Sequence, residues 1–437
     1  MKKISAFTAA CVLISNVIGS GLFTTTGFMA RDLGDPGLIL TLWAAGALLA
    51  LLGALSYGEL GAAMPEAGGE YVYISRAYGR FLGFLSGWTS FTVGFGAAIA
   101  AAAMSFAAYV LQLLPTNGGT NVLATFLALG LVWILTAVHV AGIGPGGFVQ
   151  RLLTVLKVGA IFLLILGAFI VATGNWEHFQ AAPLGAPATW GVTFVSFIFV
   201  TYAYSGWNAA AYIAGEIDRP ERNLPRSMLW GTLFVGALSL LVNVVYFYAL
   251  PVTTLAQEPI LPVAEKAAVA LFGPPAARLV TVMLCISIAG AASAMIWVGP
   301  RVYYAMARDG LFPTFFSETR NDGEVPAKAI VVQSLWVSVL IVSGTFEQLV
   351  IYSGFALAVF SALAVGSVIV LRWRNPALSR PYQVPLYPLP PLLYLAVSLL
   401  IIVYTASERP SESLLSTITV LSGAPFFFLR KRICAPA

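Results

Sequence analysis

Charge is what this 437-residue sequence has least of: acidic and basic side chains make up 9% of it, against roughly 25% in soluble domains. Length alone would suggest two or three soluble domains, but 59% of the residues are hydrophobic, and so little ionic surface cannot coat globules of that size. Cysteine is nearly missing as well. Cys11 and Cys285 fall in apolar runs and Cys434 in the last few residues, so no disulfide framework is indicated. The two histidines, His139 and His178, lie far apart in the sequence and form no cluster, so no metal or cofactor site is expected. The net charge of +5 comes from basic residues placed singly between apolar runs rather than in a patch, which argues against a nucleic-acid partner. What remains is an all-α, multi-pass membrane protein whose surroundings are a lipid bilayer.

Apolar runs near 20 residues long cross a hydrocarbon core as helices. Twelve are read between the charges, at 4–29, 37–58, 82–113, 122–141, 150–173, 189–214, 227–250, 279–300, 329–346, 348–371, 389–406 and 413–429. Residues 81–150 carry no Asp, Glu, Lys or Arg, yet the Pro-Thr-Asn-Gly-Gly-Thr-Asn cluster at 115–121 is a turn signal that splits them into two spans. With Lys2 and Lys3 in the cytoplasm, eighteen Lys and Arg fall on the inner side and four (Arg31, Lys266, Arg278, Arg409) on the outer, with Lys157 inside a span. That asymmetry expects both termini in the cytoplasm of a cell-membrane protein, because a missed span would invert every side beyond it. The first apolar run lacks a small-residue cleavage site and continues to Met29, so it reads as a retained helix rather than a signal peptide.

Two spans place glycine and polar residues at mid-depth. The first carries Ser15-Asn16-Val17-Ile18-Gly19-Ser20-Gly21, the sixth Thr201-Tyr202-Ala203-Tyr204-Ser205-Gly206-Trp207-Asn208. Either motif alone is explained by close helix packing. Together they sit five spans apart, so the two helices enter from opposite sides, as an inverted repeat requires, and unwound backbone at mid-depth is tolerated only where it lines a cavity.

Here the sequence resembles the amino acid-polyamine-organocation superfamily, and within it the L-type amino acid transporters and their bacterial relatives. The likeness is carried by Ile18-Gly19-Ser20-Gly21-Leu22-Phe23, by Ser205-Gly206-Trp207-Asn208 continuing through residues 215–226, and by Ala305-Met306-Ala307-Arg308-Asp309-Gly310-Leu311-Phe312-Pro313. It implies a five-plus-five inverted repeat, residues 1–173 and 188–373, followed by two extra helices at 388–430 and a cytoplasmic tail at 431–437. It also implies a substrate held between the broken first and sixth helices. The amides of Gly19, Ser20 and Gly21 would hold a carboxylate, the carbonyls of Val17, Tyr202 and Ser205 an amino group, and Tyr202 would act as the gate. In sodium-independent relatives a fifth-helix lysine matching Lys157 replaces a bound sodium ion near the first and eighth helices. Animal members with a disulfide-linked heavy chain carry a cysteine between the third and fourth spans; residues 115–121 have none, so no such partner is expected.

An intramembrane lysine marks function by default, although the stem of Lys157 is long enough to snorkel. Ser293, in the small-residue stripe Gly290-Ala291-Ala292-Ser293-Ala294, either packs against the first helix or faces that lysine. Glu59, Glu66 and Glu70 are expected to pair with Arg76, Arg80 or the Arg301 region rather than to bind substrate. Residues 15–23 and 201–209 contain no acidic side chain to receive a cationic one. The expected function is therefore a sodium-independent exchanger of neutral L-amino acids. Proton-coupled symport is the alternative, and an intramembrane enzyme pairing a serine with Lys157 finds little support. No repeated filter motif suggests a channel, and no soluble signalling domain suggests a sensor.

Overall fold

The computed structural model describes residues 4–66, 68–114, 120–141, 143–170, 174–181, 189–319 and 326–433. The turn at 115–119, Cys434 and the side chains of Arg151, Arg430, Lys431 and Arg432 lie outside what is described. Among the described residues the regular elements are all helical, joined by turns and loops, with one isolated backbone bridge between Ile4 and Ile217.

Local sequence accounts for where helices start and stop. The first span is α1 (Ala6–Val17) and α2 (Ser20–Leu33); Ser5 caps the former, and Gly34 in the left-handed region ends the latter. Asp35 accepts the amides of Gly37 and Leu38, with Pro36 at the first helical position, to open α3 (Pro36–Ala63). A short α4 (Glu70–Tyr78) leads to α5 (Arg80–Thr89), a π-helical turn at Ser90–Phe95 and α6 (Gly96–Leu113), which together form one span. Then come α7 (Thr120–Ala141), α8 (Ile143–Ile170), α9 (Trp190–Ala203), the single turn α10 (Ala209–Tyr212), α11 (Pro220–Ala249) and the short α12 (Val252–Leu255). Assigned as one helix, α13 (Val263–Val298) is two, because Gly273 has φ 74° and is followed by Pro274-Pro275, which cannot continue a helix. The eighth span therefore begins near the expected 279, preceded by a separate apolar helix. The remaining helices are α14 (Pro300–Arg308), α15 (Ala327–Ser343), α16 (Phe346–Arg374, opened by a Thr345/Gln348 capping box), α17 (Leu389–Glu408), α18 (Pro410–Leu421) and α19 (Gly423–Ile433).

Among the described residues nine helical stretches are long and apolar enough to cross a membrane, and three shorter apolar helices, Val155–Ile170, Trp190–Ala203 and Ala327–Ser343, fall where the fifth, sixth and ninth spans are expected. Large apolar side chains such as Val122, Phe126, Ile134, Ile170, Val342 and Leu415 are exposed on the bundle's outside. A water-soluble protein would not leave so wide an apolar girdle uncovered; this is a multi-pass membrane protein. At the centre α6 lays a buried run, residues 97–103, alanine at every position but Ile99, against α2 and α13. Small side chains let these backbones approach, which is what lipid-embedded helices need in place of a hydrophobic driving force.

Ion pairs sort by end. Arg31 and Arg409 share Glu347 at the end expected outside, while Glu59 with Arg372 and Arg380, Glu66 with Arg76, Glu216 with Arg301 and Glu318 with Lys328 lie at the end expected inside. Each pair joins residues assigned to the same side. Glu59 is the most deeply placed of these carboxylates, 2% exposed, and takes Arg372 Nε at 2.8 Å and the amide of Val384 at 2.7 Å. It clamps α3 to the end of α16 rather than meeting Arg76 or Arg80 as expected. Glu59→Ala leaves two arginines facing an apolar gap, a loss of about 3–5 kcal/mol for a broken buried pair, whereas Glu66→Ala at the exposed Glu66–Arg76 pair costs about 0–1 kcal/mol. Thermal unfolding in detergent should show a clear drop for the first variant and almost none for the second.

Candidate functional site

The first span comes apart at Ile18-Gly19. Ile18 ends α1 with ψ 88°, and Gly19 is extended before α2 restarts at Ser20. The last carbonyls of α1 and the first amides of α2 are thereby left without helical partners at mid-depth. The sixth span opens after Ala203, where residues 204–208 form successive turns through Gly206 at φ 101°, a conformation that suits glycine. Beyond the opening only the α10 turn and a 3-10 turn at Ala214–Glu216 remain, so its C-terminal limb is much shorter than its N-terminal one, α9.

The two openings touch. A Cβ on Gly21 would lie 2.6 Å from Ala203 Cα, and one on Gly19 would lie 3.2 Å from Ala291 Cβ of α13. Glycine at 21 thus permits the crossing, and the small-residue stripe of α13 backs it, as the packing reading expected. A cavity of about 20 Å³ lies at the crossing, lined by Val17, Gly19, Ser20, Gly21, Tyr202 and Ser205 with Asn16, Ala98, Ala203, Ala291 and Met295. That is room for about one water molecule. All six residues expected to bind substrate are brought to this one place. Tyr202 spans it, its hydroxyl 3.2 Å from Ser20 Oγ and its ring edge-on to Phe346 at 6.4 Å. The Tyr202 carbonyl accepts the Ser205 amide at 2.9 Å and is also reached by the Tyr204 amide.

An adjoining cavity of about 110 Å³ shares Asn16, Ala98, Tyr202, Ser205 and Met295 with the first and runs between the sixth-span opening, the π-turn of the third span, α16 and α17. Its walls are largely apolar (Leu49, Phe95, Val298, Leu357, Ile401), with polar groups from Asn208, Tyr212, Ser361 and Tyr394. The sequence reading missed this chamber, because it is assembled from seven separate stretches of chain. The run Ser90–Phe95 gave no local sign of its π-helical turn.

Lys157 is fully buried, so it does not snorkel; its Nζ donates to the Ser15 carbonyl at 2.7 Å and lies 3.4 Å from Ser15 Oγ. Its amine thereby sits on the C-terminal end of α1, where the helix dipole favours positive charge. Ser293 does not face this lysine. It shares a 2.9 Å hydrogen bond with Nε2 of His139 on α7, whose ring stacks with Trp297. Ser293 was singled out from sequence but its pairing with His139 was not, since a lone histidine in an apolar run carries no local signal. Glu70 also departs from expectation: it is buried, and its carboxylate accepts from Tyr57 and Asn208 rather than from an arginine. Arg301 pairs with Glu216 and Arg80 donates to the Asp309 carbonyl.

Comparison with known proteins bears on what this crossing serves. The sequence profile described as amino acid permease matches residues 4–424. The chain belongs to the amino acid permease family. The permease is 30% identical to the b(0,+)-type amino acid transporter 1 of Mus musculus over 435 residues, covering 98% of this chain and 88% of that one. It is 28% identical to the Asc-type amino acid transporter 1 of Mus musculus, covering 98% and 81% of the two chains, and 28% identical to the large neutral amino acids transporter small subunit 2 of Homo sapiens, covering 98% and 80%. These relatives are amino acid transporters of the kind the first- and sixth-span motifs resemble, not enzymes. Permease function should be sensitive to the crossing itself. Gly21→Ala sets a Cβ against Ala203, an overpacking that costs about 1–3 kcal/mol, and is expected to lower the melting temperature and remove amino acid uptake in proteoliposomes. Ser20→Ala loses only the bond to Tyr202, about 1 kcal/mol, and should retain uptake.

Proposed function

We propose that the permease is a sodium-independent exchanger of neutral L-amino acids that works by alternating access, with twelve spans, both termini in the cytoplasm and the first ten spans forming the inverted repeat. One observation carries the sodium-independent part: the buried ammonium of Lys157 lies on the carbonyl end of α1, a position where a bound cation would otherwise offset the freed carbonyls. On this reading Lys157 is the built-in cation, and Ser293 steadies the eighth span beside it through His139.

Exchange follows from recognition of a zwitterion. Amides at 19–21 suit the substrate carboxylate and the carbonyls of Val17, Tyr202 and Ser205 suit its amine, so an empty site leaves both sets unpaired and favours return with a second amino acid. The apolar walls of the larger cavity support neutral side chains, as does the likeness to a relative named for large neutral amino acids. That relative is named a small subunit. For the present chain we propose that no disulfide-linked heavy chain is needed, since residues 115–121 offer no cysteine for it. Proton-coupled symport is the alternative that the same experiment separates.

In proteoliposomes loaded with unlabelled amino acids, uptake of labelled neutral amino acids should be unchanged when choline replaces external sodium or when the pH gradient is collapsed. Lys157→Ala should reach the membrane and exchange at least about tenfold more slowly, the weight of one hydrogen bond to a charged group. Saturable stimulation by sodium would refute the cation role of Lys157, and dependence on a pH gradient would replace exchange with proton symport.

A further inference from the structure

Glu70 is a buried carboxylate that the transport reading above does not use. It follows Gly68 and Gly69, both at positive φ (122° and 52°), which turn the chain from α3 into α4. A Cβ on Gly69 would lie 2.7 Å from Cδ1 of Tyr212. The double glycine therefore lets this loop lie directly against the inner limb of the sixth span, and it delivers Glu70 beneath Asn208.

Three donors converge on Glu70 Oε1. They are the Tyr57 hydroxyl at 2.6 Å, Asn208 Nδ2 at 2.8 Å and Ser361 Oγ at 3.4 Å. They come from α3, from the opened segment of the sixth span and from α16. Among the described residues no Lys, Arg or His forms an ion pair with Glu70. Asn208 also reaches the Tyr212 hydroxyl at 3.4 Å, and Tyr57 packs edge-on to Trp207 at 4.8 Å. Asn208, Tyr212 and Ser361 all line the larger cavity. An opened segment has lost the hydrogen bonds that fix a helix, so its position depends on such side-chain anchors, and a bond to a carboxylate is stronger than one between neutral groups.

We propose that Glu70 is a positioning residue of the transport cycle: through Asn208 it holds the inner limb of the sixth span against α3 and α16, and releasing that bond accompanies opening of the larger cavity to the inner side. The proposal rests on the alternating-access reading. Tyr57 and Ser361 belong to the long helices on which the limb rests, so they keep the carboxylate in place while Asn208 leaves it.

The test follows cavity access and exchange together. A single cysteine at Ala358, a partly exposed residue of the cavity wall, is introduced with Cys11→Ser, Cys285→Ala and Cys434→Ser, and labelled by a membrane-impermeant maleimide from the inner side. Glu70→Gln is expected to label about tenfold faster and exchange about tenfold more slowly with KM within about twofold, the weight of one hydrogen bond to a charged group. Asn208→Ala should give the same acceleration, and the double variant should be no faster than either alone. Glu66→Gln, at the exposed neighbouring pair, should leave labelling and exchange unchanged. Wild-type labelling and exchange in Glu70→Gln would overturn the proposal, as would additive effects in the double variant; a purely structural Glu70 would lower yield and melting temperature without altering labelling per folded protein. Should Glu70→Gln not fold, labelling of Asn208→Ala decides, since it removes the same bond and keeps the carboxylate. Labelling needs no substrate, so absence of amino acid exchange in the parent would defeat the transport reading and still leave the role of Glu70 measured.

Discussion

In lipid a backbone amide or carbonyl without a partner costs several kcal/mol, and this permease opens its backbone twice at mid-depth. The cost is contained because the two openings lie against each other, with Gly21 on Ala203 and the alanines of α6 and α13 closing the sides. Lys157 takes one of the exposed carbonyls of α1, and Gly206 turns the sixth span in a conformation few other residues adopt. The polar groups that remain face a small cavity rather than hydrocarbon. What makes the openings tolerable, enclosure by small residues around a polar gap, also suits them to the ligand carrying both charges that we propose.

The rest of the bundle is organised about that crossing as two tied ends. At the end carrying Glu347, Phe28 stacks between Phe199 and Phe346, Tyr202 leans on Phe346, and Arg31 and Arg409 converge on Glu347. Toward the end carrying Glu59, the larger cavity is lined by Trp207 and Tyr394, Tyr57 packs on Trp207 and donates to Glu70, and Glu59 lies beyond with its arginines. Space lies on the Glu59 side of Tyr202 and packing on the Glu347 side. The partly exposed pairs on Glu347 hold less tightly than the more buried Glu59 clamp, which ties α3 to α16.

Much of this was legible in the sequence for a simple reason: charges are excluded from spans and glycine is costly inside helices. The charge-free runs therefore marked the spans closely, and the glycines in the first and sixth runs located both openings. Lys157 stood out because a lysine in an apolar run is rare. What stayed hidden depends on partners distant in sequence. Glu70 read as one more surface carboxylate near arginines, although the preceding Gly68-Gly69 and the following Tyr-Val-Tyr were a sign of a buried turn. The pairing of Ser293 with His139 required knowing which faces of α7 and α13 meet, and the larger cavity is shaped by the π-turn at Ser90–Phe95 and the shortness of α10. Gly273-Pro274-Pro275 separates the eighth span, which begins near the expected 279, from the short helix before it, which the sequence reading did not single out.

The central claim is that the crossing of the two openings holds the amino acid's charged groups. A structure of the permease with a neutral L-amino acid bound measures this most directly. The account predicts ligand density at the crossing, enlarged from its present 20 Å³, with the carboxylate on the amides of residues 19–21 and the amine on the carbonyls of Val17, Tyr202 and Ser205. Density confined to the larger cavity, with the first-span opening unoccupied, would contradict it.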